Sequence, residues 1–113
     1  MYDLREHKEL ISQLVSEANQ NDENWRWSVK SVGKTKARIF WSYLEYCGQP
    51  EPYFVIELED TGDGYWIHAL DERDSYIESE IVVDNDLPFL NCPLDKAIEK
   101  MVRCIINTAR ACY

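Results

Sequence analysis

The period of the hydrophobic pattern changes twice along this chain, and those two changes set its architecture. From Tyr2 to Asn19 the apolar residues Leu4, Ile11, Leu14, Val15 and Ala18 recur at helical spacing, with Arg5, Glu6, Glu9 and Glu17 between them. Asp3 followed by Glu6 has the form of a capping box at the start of that helix. The polar run from Asn19 to Asn24 holds no apolar residue and reads as a connector.

At Trp25 the period drops to two. Trp25, Trp27 and Val29 alternate with Arg26, Ser28 and Lys30, the pattern of a strand with one buried face. After a turn at Val32 to Thr35, a second strand from Ala37 to Tyr46 carries Ile39, Trp41 and Tyr43 on one side and Phe40, Leu44 and Tyr46 on the other. A strand apolar on both sides is either covered twice or offers one side to a partner.

Cys47 to Pro52, with two prolines, ends that run. A third strand is expected over Tyr53 to Glu59, with Phe54, Ile56 and Leu58 inward and Glu57 and Glu59 outward. A fourth is expected over Tyr65 to Leu70, joined to the third by the turn Asp60-Thr61-Gly62-Asp63-Gly64. A fifth fits Tyr76 to Val83.

The period returns to helical after Pro93. Leu94, Ala97, Ile98, Met101, Val102, Ile105 and Ala109 form one stripe that runs nearly to Tyr113. The expected fold is α+β: a helix, an antiparallel sheet of four or five strands and a helix, with both helices on one face, in a single domain over residues 1–113. With 113 residues, 45% of them hydrophobic, the chain can build one core.

Charge narrows the function. The formal charge is −9, which disfavours direct contact with nucleic acid or an anionic membrane. No apolar run is long enough to span a bilayer and no basic-apolar leader opens the sequence, so a cytoplasmic location, in a bacterial host cell, is expected. The excess of acid is local. Residues 57–86 hold eleven acids, Glu57, Glu59, Asp60, Asp63, Asp71, Glu72, Asp74, Glu78, Glu80, Asp84 and Asp86, against Arg73 alone. Glu57 with Glu59, and Glu78 with Glu80, fall roughly 6.6 Å apart on one side of a strand, so a gathered acidic edge or face is expected.

Catalytic signatures are missing: there is no GxSxG elbow, GxxxxGKS/T loop, GxGxxG turn or HExxH helix. His7 and His68 read as structural or surface histidines. The Asp60–Gly64 loop lacks the alternating ligands of a calcium loop, and Cys47, His68 and Cys92 lack zinc-site spacing, so no metal or other cofactor is expected. Cys47, Cys92, Cys104 and Cys112 form no CxxC pair and are expected as reduced thiols. Cys104 and Cys112 should sit in the core beside Met101 and Ile105.

The expected function is therefore non-catalytic binding by a small acidic inhibitor. Its analogues in type are phage or mobile-element anti-defence proteins that block the basic nucleic-acid-binding surface of a CRISPR effector or restriction enzyme. An immunity protein against a nuclease toxin shares the same physics. A small enzyme or ligand-binding domain built on His68, and a structural homodimer, are the readings from other classes. The expected contact residues are Glu57, Glu59, Asp60, Asp63, Asp71, Glu72, Asp74, Glu78 and Glu80, with Trp41, Tyr43 and Trp66 as aromatic anchors.

Overall fold

The computed structural model describes residues 2–20, 25–43, 53–62, 64–82 and 93–112, apart from the side chains of Tyr43 and Cys112. A short 3-10 turn, Leu4–His7, leads into α1, Lys8–Gln20. The strands follow as β1, Trp25–Val32; β2, Lys36–Tyr43; β3, Tyr53–Asp60; β4, Tyr65–Leu70; and β5, Tyr76–Val82; α2, Leu94–Cys112, closes the order. The strands form one open antiparallel sheet in sequence order. The expected ends of the second and fifth strands, Leu44 to Tyr46 and Val83, lie outside the described residues, as do Cys47, Asp63, Asp84, Asp86 and Cys92.

The entry to the first helix departs from the capping box. The Asp3 carboxylate accepts the Arg5 backbone N–H at 2.9 Å, and the Arg5 guanidinium closes on the same carboxylate at 2.7 Å. Glu6 gives only its backbone N–H, to the Asp3 carbonyl. The Arg5 hydrogen bond holds the Asp3 carboxyl down at about 2, below its ordinary 3.8.

Both helices lie on one face of the sheet, α1 against β1 and α2 across β3, β4 and β5. Strand alternation sends Trp25, Trp27, Ala37, Ile39, Trp41, Phe54, Ile56, Leu58, Ile67 and Ala69 toward them, and all are buried. Leu4, Ile11, Val15 and Ala18 from the first helical segment and the predicted stripe of α2 fill the other side of this core. On the helix side of the sheet the rings of Trp25 and Trp41 stand 4.7 Å apart, with Trp27 about 6 Å from each.

Asn19, expected to begin a connector, lies in the last turn of α1. Its amide nitrogen donates to the Trp27 carbonyl at 2.8 Å and its oxygen accepts the Trp27 N–H at 2.6 Å. Both outward-pointing backbone groups of edge strand β1 at Trp27 are thus satisfied by one side chain, which ties α1 to the sheet and blunts that edge.

Candidate functional site

The face opposite the helices carries the other half of each strand. Following the register, β4 and β5 place three cross-strand pairs there: Trp66 with Ile81, His68 with Ser79, and Leu70 with Tyr76. Tyr76 reaches this face through a bulge. Simple alternation would put it with Glu78 and Glu80 on the helix side, but the register slips between Ala69 and Leu70 and turns its ring onto His68, centroids 4.7 Å apart.

His68 is the centre of the arrangement and only 7% exposed. Its Nε2 lies 2.7 Å from Glu59 Oε2 on β3, and its Nδ1 lies 2.7 Å from Ser79 Oγ on β5. A carboxylate only accepts, so Nε2 carries a proton and donates to Glu59, while Nδ1 and the Ser79 hydroxyl share the second hydrogen bond. The Trp66 ring stacks alongside, 6.2 Å away and 11° from parallel. Hydroxyl, imidazole and carboxylate on three neighbouring strands have the composition of a nucleophile chain. The Ser79 backbone N–H, however, is engaged by Glu78 Oε1 at 3.0 Å, and acyl transfer needs donors aimed at the oxyanion. The two hydrogen bonds hold the imidazole in place beside its aromatic neighbours.

Those neighbours are exposed. Trp66, Tyr76 and Ile81 are 37%, 64% and 47% accessible, and they are the large apolar side chains that the described surface exposes. All three lie on this one face, around His68, with Glu59 at their side. Single exposed apolar residues are ordinary; here three share one face.

The acids expected to gather do not gather. Glu57 and Glu59 lie on the open face, but Glu78 and Glu80 pair with Ala69 and Ile67 and therefore face the helices. There Glu80 binds Lys100 of α2 at 2.6 Å, and Glu78 lies 4.0 Å from Cys104 Sγ. The Glu80 hydrogen bond raises Lys100 above its ordinary value. On the open face Glu57 pairs with Lys36 at 3.7 Å and Glu59 holds His68.

Asp60 and Asp71 serve turns. Asp60 Oδ1 accepts the Gly62 N–H in the β3–β4 loop, where Gly62 sits at φ +87°. Asp71 Oδ1 accepts the N–H groups of Arg73 and Ser75 in the β4–β5 loop. Glu72 and Asp74 are exposed in that same loop. The acidic stretch is therefore spread over two faces and two opposite strand ends, because the chain reverses twice within it.

Two other expectations are corrected. Trp41, expected as a partner-facing anchor, is buried on the helix side of the sheet, since its partner in the register is Trp27 and both point into the core. Trp66 lies on the open face, and the side chain of Tyr43 lies outside the described residues. Cys104, expected in the core, is half-buried at its rim facing β5, where burial and the Glu78 carboxylate push its thiol up. A thiol held protonated is a poor nucleophile. Among the described residues there is no cluster of three metal-ligating side chains and no helix long and apolar enough to cross a membrane.

One feature was missed at the level of sequence. Residues 25–43 contain Arg26, Lys30, Lys34, Lys36 and Arg38 and not one acid. The β1–β2 hairpin is thus a basic unit beside an acidic one. On the open face Arg38 lies 6.0 Å from the Tyr53 ring centre and Lys30 lies 5.9 Å from that of Phe40. A count taken in shorter windows would have found it. Comparison of the chain with protein families, with curated proteins and with solved structures found no match in any of the three.

Proposed function

We propose that this chain is a non-catalytic protein-binding domain that docks through the β4–β5 side of its open sheet face. The observation that carries the reading is the cluster of Trp66, Tyr76 and Ile81 around the fixed His68–Glu59 pair, on the face that the helices leave uncovered. Trp and Tyr contribute large contact area at low entropic cost, and aromatic anchors packed at the centre of a patch dominate binding energy.

Charge points to the kind of partner. Glu59 stands beside the patch, and the exposed Glu72 and Asp74 lie in the loop that joins the two strands carrying it. A surface of this kind is complementary to a basic one with apolar ground between its cations. Proteins that handle nucleic acid present such surfaces, so the partner class is a nuclease, restriction enzyme or CRISPR effector, and occupation of its nucleic-acid groove inhibits it. The immunity-protein reading has the same partner chemistry and is the same proposal at this level.

Affinity capture from a bacterial lysate tests the reading. The tagged chain should retain a basic nucleic-acid-handling protein at low salt, release it at high salt and displace nucleic acid from it. Capture of nothing, or of a partner whose hold on nucleic acid is unchanged, would refute it.

A further inference from the structure

We infer that, when no target is bound, the docking patch is covered by the β1–β2 hairpin of a second copy of this chain. The inference rests on the docking reading above, because the same patch is used. That patch selects a partner surface with cations set among apolar groups, and the hairpin is such a surface. Arg26, Lys36 and Arg38 are exposed on it, and the half-buried ring of Phe40 lies on the same face, 5.5 Å from that of Tyr53 on the adjoining β3. Both surfaces belong to one face of one sheet, so each copy carries both halves of the contact.

Symmetry decides how two such faces meet. A twofold axis parallel to the strands sets β1 and β2 of each copy over β4 and β5 of the other, whereas an axis across the strands would lay like on like. That axis keeps position along the strand, so Arg38 comes level with Tyr76 and Lys36 level with His68, one pleat from Trp66, the favourable setting for cation–π contacts. At the midline β3 meets β3, where Glu57 is already paired with Lys36 and Glu59 with His68. The helices lie behind the sheet, and the loops bearing Glu72 and Asp74 lie at a strand end, so neither obstructs the approach.

The size of the face makes this contact displaceable. Five strands of up to eight residues offer roughly 24 by 26 Å, about 600 Å² in projection. A standard interface buries about 800 Å² per partner. A contact at the small end of the range yields to a larger target surface.

Sedimentation of the whole chain across a concentration series is the test. The mass should rise from 13.3 kDa toward twice that value. Arg26→Glu with Arg38→Glu, and separately Trp66→Ala, should each weaken association roughly tenfold or more, while Lys96→Glu on α2 leaves it unchanged. Circular dichroism would show that each variant is folded. A wild-type chain that stays monomeric, or a dimer that both sets of substitutions leave intact, overturns the inference. Its failure is separable from that of the docking reading: a monomer that still captures a basic partner removes only the second copy, and a dimer that captures none removes the docking reading.

Discussion

His68 shows how one side chain can be structural and still define a surface. Its two nitrogens bind Glu59 and Ser79 on the strands either side of it, so the ring is fixed upright between Trp66 and Tyr76. Replacing it by alanine strips two hydrogen bonds from a nearly buried position, and His68→Ala should lower unfolding stability by about 1–3 kcal/mol. Urea unfolding checks this, and an unchanged midpoint would mean that the chain of bonds contributes nothing. In the sequence His68 reads as an ordinary histidine because its partners are nine and eleven residues away. Only the strand register brings them together, and register was not fixed by the pattern of either strand alone. Asn19 was illegible for the same reason: its role depends on where Trp27 passes, eight residues on.

At the scale of elements the chain was largely legible. The switch from helical to twofold period and back gave the order of helices and strands, and four of the five strand starts lie where alternation begins or turn residues end. What alternation could not show is the bulge opposite Leu70, which moves Tyr76 from the side of Glu78 to the side of His68. A bulge adds one residue without changing composition, so no local signal marks it.

The docking of α2 gives a test at this scale. Its stripe residues Ile98, Met101 and Ile105 are fully buried, while the Lys100–Glu80 pair and the Glu99–Arg103 pair lie at the helix surface. Ile105→Ala should cost about 2–5 kcal/mol, since it opens a cavity in the layer between helix and sheet. Lys100→Ala should leave the unfolding midpoint nearly unchanged, because exposed ion pairs contribute little. A loss from Lys100→Ala as large as that from Ile105→Ala would show that charge, and not apolar burial, holds the helix down.

Across the whole molecule the sheet is divided by charge. The hairpin of β1 and β2 is basic and free of acids, and the segment from β3 onward is acidic. The net charge of −9 conceals this, because acids before β1 and just after β2 offset the bases between them. The acids themselves were visible in sequence, but their grouping was not. Antiparallel reversal and strand alternation scatter them, assigning Asp60 and Asp71 to turns, Glu80 to α2 and Glu59 to His68. The docking proposed above therefore rests less on a gathered acidic surface than on three exposed apolar residues with Glu59, Glu72 and Asp74 nearby.

That claim is tested most directly by calorimetric titration of a captured basic partner with the wild-type chain and with Trp66→Ala combined with Tyr76→Ala. Both side chains are exposed, so the variant should keep its far-ultraviolet spectrum and stay folded. The account predicts an affinity at least roughly tenfold weaker for the folded variant, about 1.4 kcal/mol. An unchanged Kd would contradict it and place the contact elsewhere on the molecule.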